Sequence, residues 1–428
     1  MLIHEATQAQ DLATLSSQDG RARPSFNILM IAPTSFFADY GCHVRILEEA
    51  QALQRLGQRL TIVTYYQGRD IDDLTIWRTR PVPWRANYEV GSSRHKVAFD
   101  VLLSWTAFKA ALRLRPDIIH AHLHEGALIG AVLSRLIGAP LVFDFQGSMT
   151  AEMLDHGFLR RDGPFYRPLR WLERHIDHLP HAVLTSSHHA AEHLVQEFGC
   201  SPARLHPIPD CVNTGFFCPP TPDQAEALGT LRAQLGLPAN VPLVVYLGLL
   251  ADYQGTPDLL QAAAVLRSTG VQAHFLIMGF PNIEFYQNMA SRLGLDGYVT
   301  FTGKVPYELA PRYLALGDVA VAPKRSLTEG SGKLLNYMAM ALPIVAYDTP
   351  VSREYLGDLG VYAPVGDYRA LAERIAALLY DRRLAAWLGW RLRERAVAHY
   401  SWDVAGHTIL DIYTRLARVG QPATMWSG

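Results

Sequence analysis

Short apolar runs punctuate the chain from Asn27 onward, alternating with stretches in which apolar residues recur about every third position. Ile28-Leu29-Met30-Ile31-Ala32, ending at Pro33, has the composition of a strand buried on both faces. After a loop and Gly41, the residues Val44, Leu47, Ala50, Leu53 and Leu56 trace one face of a helix that Gly57 stops. Leu60-Thr61-Ile62-Val63-Thr64 is rich in β-branched residues and predicts a second strand. Strand, helix and strand in such close succession make one βαβ unit of a parallel sheet.

The pattern repeats. Residues 97–114 predict an amphipathic helix, which Asp100, Lys109 and Arg113 make too charged for a membrane span. Strands are expected at 117–121, 141–145 and 182–185, and helices at 126–136, before Gly138, and at 187–198. The segment from Pro207 to Pro222 also holds Pro209, Pro219 and Pro220, and predicts an interdomain linker. A second series follows. Apolar runs at 243–247, 274–278, 299–301, 319–322 and 344–347 end at Gly248, Gly279, Gly303, Pro323 and Asp348. The expectation is an α/β protein of two Rossmann-like, doubly wound domains facing each other across a cleft. A flexible extension (1–25), an N-terminal domain (26–216), a C-terminal domain (217–398) and a closing helix with tail (399–428) divide the chain. Ligands bind open α/β sheets beyond the carboxyl ends of the strands, and domain interfaces favour pockets. The loops after the strands should therefore carry the chemistry.

Composition narrows the field. The chain has 428 residues, and at roughly 100–200 residues per domain two domains fit. The formal net charge of −1 gives no global electrostatic case for nucleic-acid binding. Cys42, Cys200, Cys211 and Cys218 form no CxxC pair and no zinc spacing, which fits a reduced, cytosolic compartment. Cys42, beside Gly41, is either a reactive thiol or, more in keeping with free cysteines, a small buried apolar residue. The first 25 residues lack the apolar core of a signal peptide.

Three stretches could carry chemistry. Glu329-Gly330-Ser331-Gly332-Lys333 precedes a predicted helix at 334–340. Small residues let backbone amides approach an anion, the helix N-terminus adds partial positive charge, and Lys333 adds a full one. The glycines would also suit an ordinary capped helix start. His120, His122, His124 and Glu125 have spacing that permits chelation on a strand, but polar strand-end residues lining a cleft are the preferred explanation and no metal is expected. Residues 158–178 interleave Arg160, Arg161, Arg167, Arg170 and Arg174 with Phe165 and Trp171. They suit either an anionic membrane surface or a solvated helix face with local ion pairs.

Residues 324–348, KRSLTEGSGKLLNYMAMALPIVAYD, resemble the retaining GT-B glycosyltransferases of family 4. In that family a glutamate opens this segment and a second closes it, before a small-residue helix, a proline and a strand. Glu329 matches the first acid in type, although the family spacing falls on Thr328; Asn336 stands where the second is expected. The resemblance implies that Glu329 contacts donor-sugar hydroxyls and Asn336 the ribose, and that Gly330, Ser331, Gly332 and Leu334 line the donor phosphates. The loop Gly248-Leu249-Leu250-Ala251-Asp252-Tyr253-Gln254-Gly255 resembles the loop whose Arg and Lys clamp the diphosphate. Leu249 and Gln254 replace those two cations, and Lys333 and Lys324 are the substitutes; a subgroup with a Tyr-Gln-Gly loop resembles this arrangement. Residues 277–282 around Gly279 resemble a loop bordering the nucleotide, and 301–309 a segment holding the base by main chain at Lys304 and Val305. Gly41 resembles one of the family's glycine pair near the phosphate. Gln146, followed by Gly147, stands where a His-Gly often meets the transferred sugar. Residues 400–413 resemble a closing segment whose helix crosses back to the first domain.

The resemblance implies an acceptor domain followed by a donor domain, and transfer with retention from a nucleotide-diphosphate sugar, UDP- or GDP-linked. The acceptor would be a glycan, a lipid-linked molecule or a small molecule. Lys333, Glu329 and Gln146 would serve the reaction with neither cofactor nor metal. Arg170, Trp171 and Arg174 would meet the acceptor or the inner membrane face. Rival readings are another GT-B class such as an epimerase or phosphorylase, a non-enzymatic sugar-nucleotide sensor or complex subunit, and a dinucleotide oxidoreductase, whose GxGxxG is missing after the first strand of either domain.

Overall fold

The computed structural model describes residues 24–39, 41–81, 96–155, 157–326 and 330–419. All but the last two residues of the expected extension, as well as Tyr40, Thr328 and Glu329, lie outside the described residues.

The first half runs β1 (Asn27–Ala32), α1 (Gly41–Arg55), β2 (Arg59–Thr64), β3 (Thr75–Arg78), α2 (Lys96–Leu114), β4 (Ile118–His122), α3 (Leu123–Ile137), β5 (Leu141–Phe145), α4 (Met149–Asp155), α5 (Tyr166–Asp177), β6 (Ala182–Thr185), α6 (His188–Phe198) and β7 (Leu205–Pro207). Its strands form a parallel seven-stranded sheet in the order β3-β2-β1-β4-β5-β6-β7. The second half runs α7 (Ala225–Gln234), β8 (Leu243–Leu247), α8 (Thr256–Ser268), β9 (His274–Met278), α9 (Ile283–Arg292), β10 (Val299–Gly303), α10 (Ala310–Leu314), β11 (Val319–Ala322), α11 (Gly332–Ala339), β12 (Ile344–Tyr347), α12 (Pro350–Leu356), β13 (Val361–Ala363), α13 (Tyr368–Tyr380), α14 (Arg382–His399) and α15 (Trp402–Val419). Its six strands are also parallel, in the order β10-β9-β8-β11-β12-β13. Strand order therefore reverses between β1 and β4 in one sheet and between β8 and β11 in the other. Loops leaving those strands open the crevice in which such sheets take ligands.

Three strands escape the apolar pattern. β3, β7 and β13 are the short edge strands, and β3 has only exposed or half-buried residues. Pro207, expected in the linker, closes β7 at the sheet edge, where a residue without an amide hydrogen is tolerated.

Alternation along β1 divides the first core. Leu29 and Ile31 pack with Phe99 and Leu103 of α2 and Leu133 of α3. Ile28 and Met30 pack with Leu47 and Leu53 of α1 and with Ile409 and Tyr413 of α15. That second cluster runs on without a break into Leu334, Tyr337 and Tyr355 of the other half. The chain makes this connection after α14. The Val212 amide donates to the Tyr400 carbonyl at 2.8 Å, Trp402 is buried, and α15 lies on α1. Gly406 faces α1 closely: a Cβ there would lie 3.2 Å from Leu56 Cδ1 and 3.4 Å from Ala52 Cβ. Near its end Tyr413 places its hydroxyl 2.5 Å from His120 Nδ1 on β4.

Both groups of that bond are fully buried, so removing one leaves the other without a partner. Tyr413→Phe should lower stability by about 1–3 kcal/mol in urea titration. An unchanged midpoint would show that the strap owes nothing to this bond.

Candidate active site

The second-half site forms where β8 and β11 turn into their loops. β8 ends at Leu247, and the loop after β9 closes over it: the Gly248 amide donates to Met278 O at 3.0 Å and the Leu250 amide to Phe280 O at 2.9 Å. Gly279 is what permits this approach, because a Cβ there would sit 2.2 Å from Gly248 O. The loop after β11 is tied to the same place. The Arg325 amide donates to Tyr253 O, and the Arg325 guanidinium donates to both Asp258 oxygens at 2.8 and 2.5 Å.

Lys333, in the first turn of α11, reaches back across this junction. Its Nζ donates to Gln254 Oε1 at 2.8 Å and to the Tyr246 hydroxyl at 3.1 Å, and lies 4.3 Å from the centroid of the Tyr246 ring. Tyr246 in turn donates to Leu249 O at 2.7 Å. A Cβ on Gly248 would stand 2.7 Å from the ammonium. The charge is thus held against the glycine turn of β8, at the end of a helix whose dipole adds to it. Ser331 is buried and makes no side-chain cap to α11 among the described residues. Asn336 is half-buried one turn beyond Lys333, on the same face of the helix, whereas Leu334 is fully buried in the core.

Lys324 is placed differently. It is buried, and its Nζ donates to Gly330 O at 2.7 Å, bracing the loop from within. Gly330 also touches the linker: a Cβ there would lie 2.3 Å from Asp210 Oδ2. Across the cleft, Lys304 pairs with Asp39 at 3.2 Å and lies 5.3 Å from the Phe280 ring centroid. Burial works against the charge of Asp39, but bonds from Arg69, the Tyr307 amide and Lys304 outweigh it and hold the carboxyl below its ordinary range. Val305, beside Lys304, is buried.

In the first half Gly41 opens α1, and Arg45 one turn later is buried with its charge. Its guanidinium donates to both oxygens of Asp144 at 2.8–3.0 Å, to Asp210 Oδ1 at 3.1 Å and to Ile208 O at 3.1 Å. Burial alone would raise the Asp144 carboxyl, but the Arg45 charge and the bond from His122 drive it far below the carboxylate range. His122 Nδ1 and Gln146 Nε2 both stand at Asp144 Oδ2, at 3.0 and 2.7 Å. Gln146 itself is half-buried just after β5.

The histidines do not line the cleft, as their strand-end positions suggested. His120 and His122 are wholly buried and His124 nearly so, because α1 and α15 cover β4 on one face and α5 closes the other. Glu49, His120, His122 and Asp144 converge there, and His124, Glu173 and Asp177 form a second buried group. Burial raises the Glu49 carboxyl well above its usual range, Asp144 adding to the rise, and burial lowers His120. Glu173 accepts from Ser148 Oγ at 2.7 Å and from the Thr150 hydroxyl. Cys42 is half-buried rather than buried, and burial pushes its thiol up to about 12, away from the reactive-thiolate reading.

Arg170 is less available than its sequence suggested. It donates to Glu197 at 2.8 Å and lies 4.3 Å from the Phe198 ring centroid. Trp171 and Arg174 are exposed on α5. Sequence reasoning missed Tyr246, Arg45, Asp144, Asp210 and Asp39. A signal was present for two of them: Asp144 interrupts an apolar strand, and Arg45 stands between Val44 and Leu47 of a helix face.

Two parallel sheets facing one cleft, with a lysine and a helix start at the switch point of the second, define a GT-B architecture equipped to hold an anion. Residues 40–211 match the family described as glycosyl transferase 4-like domain, and residues 241–381 match glycosyl transferases group 1. The chain is 27% identical over 314 residues to alpha-D-kanosaminyltransferase of Streptomyces kanamyceticus, covering 71% of this chain and 79% of that protein. It is 25% identical over 395 residues to 2-deoxystreptamine glucosyltransferase of the same organism, covering 85% and 97%. Its fold is similar to sucrose-phosphate synthase of Thermosynechococcus elongatus (TM-score 0.77, 19% identity, 92% and 99% covered). It is also similar to HepE of Anabaena in complex with UDP-glucose (TM-score 0.73, 16% identity, 91% and 100% covered). The chain belongs to the GT-B glycosyltransferases of the family 4 type, and is a transferase of glycosyl groups.

The contact at Gly279 gives a direct check on this loop geometry. Gly279→Ala must push the Gly248 carbonyl aside, and should cost about 1–3 kcal/mol in thermal or urea unfolding. A neutral substitution would mean that the two loops do not meet as described.

Proposed function

We propose that the protein is a retaining, metal-independent glycosyltransferase that uses a nucleotide-diphosphate sugar, UDP- or GDP-linked. The observation that carries this reading is the Lys333 ammonium, held at the Gly248 turn by Gln254 and Tyr246. In this reading the donor diphosphate lies between Lys333, the first-turn amides of α11 and the glycines at 248, 330 and 332. Gln254 then acts by aiming the lysine. Lys324 acts by shaping the loop that ends at Gly330. The main chain at Lys304 and Val305 borders the base, Gly279 keeps the loop after β9 close to the Gly248 turn, and Asn336 faces the ribose. Glu329 would orient the sugar. HepE is described in complexes with UDP and with UDP-glucose, and a relative of Mycolicibacterium smegmatis is named a GDP-mannose-dependent mannosyltransferase, which supports a donor of this class.

Catalysis in this reading is positioning plus stabilisation of the departing diphosphate. The ammonium and the helix dipole supply positive charge where negative charge develops. Gln146 is not a base near pH 7, so the leaving phosphate itself accepts the acceptor proton on the same face, which gives retention. Metal independence is supported by Lys333 and the helix start, which supply at the Gly248 turn the positive charge a metal would otherwise bring to a diphosphate. The acceptor enters from the first domain and is a glycan, a lipid-linked molecule or a small molecule.

A peripheral, cytoplasmic position at an anionic membrane is the second part of the reading. Among the described residues no helix is long and apolar enough to cross a membrane. Trp105 on α2, Val132 and Leu136 on the adjoining α3, and Phe165 and Trp171 at α5 are all more than half exposed. Arg167 and Arg174 stand among them. Aromatic rings flanked by arginines suit the interface of an anionic bilayer.

Calorimetric titration with UDP, GDP, ADP and CMP, in EDTA and then in magnesium, tests the first part. One nucleotide should bind in the micromolar range, indifferent to metal, and Lys333→Ala should weaken it by about 1.5–3 kcal/mol. Binding only with magnesium, or unchanged by Lys333→Ala, would contradict the reading. For the second part, sedimentation with phosphatidylglycerol vesicles should retain the wild type and release Trp171→Ala/Arg174→Ala. Equal sedimentation of both would remove the membrane from the account.

A further inference from the structure

The orientation of one amide decides what the sugar subsite can recognise. Resting on the proposed function, and on the resemblance that sets Gln146 beside the transferred sugar, we infer that Asp144 is a positioning residue. It turns the Gln146 amide so that Oε1 faces the sugar, and the subsite thereby selects a donor sugar that bears a hydrogen-bond donor at the contacted carbon.

The two ends of a glutamine amide are alike in shape, so the chemistry of the neighbours must say which end is which. Here the neighbour is Asp144 Oδ2, at 2.7 Å. A carboxylate gripped by Arg45 only accepts hydrogen bonds. An amide oxygen turned towards it would set two acceptors against each other at contact distance. Nε2 must therefore point at Asp144, leaving Oε1 as the atom to meet a ligand. Asp144 is wholly buried, so a ligand does not reach the carboxylate, whereas Gln146 is half-buried at the end of the same strand.

Asp144 cannot swing away. Its oxygens accept from Arg45 Nε and from the adjacent terminal nitrogen at 2.8–3.0 Å, and Oδ2 also accepts from His122 Nδ1 at 3.0 Å. The same guanidinium reaches Asp210 at 3.1 Å, and Asp210 Oδ2 abuts Gly330 of the donor loop. One buried arginine thus fixes the direction of the Gln146 amide and ties it to the loop that carries the donor. A carbonyl oxygen held this way accepts from a hydroxyl or an amino group. It gains nothing from a deoxy position and is repelled by fluorine.

The test uses the nucleotide sugar that the wild type turns over, its deoxy and deoxyfluoro analogues at each ring carbon, and the variants Gln146→Leu and Asp144→Asn. At the carbon that Gln146 contacts, loss of the hydroxyl should lower wild-type kcat/KM roughly threefold to tenfold, and only there should the loss depend on Gln146. Gln146→Leu should lower the parent sugar by a similar factor and leave that one deoxy analogue nearly unchanged. Asp144→Asn offers Gln146 either an oxygen or an amide hydrogen, so discrimination between hydroxyl and fluorine at that carbon should shrink while affinity for the free nucleotide stays the same. A residue that served only folding would depress all donors alike. Should Asp144→Asn fail to fold by circular dichroism, the wild type still decides: with Oε1 facing the sugar the fluoro analogue at that carbon falls below the deoxy analogue, and a fluoro analogue used as well as the hydroxyl overturns the inference. If Gln146→Leu lowers every analogue by one factor, or couples to no position, the inference is overturned. Should turnover be absent, the same comparison is made by calorimetric binding. Binding without coupling contradicts this inference alone, whereas no binding of any nucleotide sugar contradicts the proposed function and this inference with it.

Discussion

A single ammonium group fixed at the turn of a parallel strand organises the second half of this molecule. Lys333 cannot wander, because Gln254 and Tyr246 both accept from it and the Tyr246 ring lies beneath it. That placement needs three things at once. β8 must end in a glycine so that the lysine can come close, the β9 loop must approach through Gly279, and the β11 loop must deliver α11 at the correct height. Each follows from strand order, since β8 and β11 are neighbours whose loops depart on opposite sides. The replacement of two expected cations by Leu249 and Gln254 is then consistent with a relocated charge. The cation comes from the helix, and the old position supplies the acceptor that aims it.

The first half is organised by a different economy of charge. Arg45, Asp144 and Asp210 are ionisable groups away from water, and such groups persist only when they satisfy one another. Their mutual bonds join α1, β5 and the linker in one cluster. The linker contact reaches on to Gly330. The strap formed by α15, with Tyr413 against His120, covers the same strand ends from behind. The two halves therefore meet through hydrogen-bonded contacts as well as through apolar packing.

Much of this was legible in the chain. The central strands announced themselves, because a strand covered on both faces has no room for polar residues, as 28–32 and 243–247 show. Edge strands such as β3 and β13 were invisible, being short and half-exposed. Lys333 and its glycines were singled out by local chemistry, since they are contiguous in sequence. The residues that aim it were harder. Gln254 was read as a donor-binding residue standing where a cation is expected, without its bond to Lys333, and Tyr246 looked like one more strand residue. Arg45, Asp144 and Asp210 are far apart in the chain, and no local pattern predicts their meeting. The histidines were misplaced for a related reason. Strand-end position says that a residue is near the crevice, but only the path of α1 and α15 says that it is roofed over.

The central claim is that Lys333 holds the donor diphosphate. A crystal structure with a bound nucleotide sugar tests it most directly. The account predicts a diphosphate oxygen within roughly 2.7–3.2 Å of Lys333 Nζ, with the phosphates over the first turn of α11 and Gln254 still beside the lysine. A diphosphate bound elsewhere in the cleft, with Lys333 still turned to Gln254 and Tyr246 and no contact to the ligand, would contradict it.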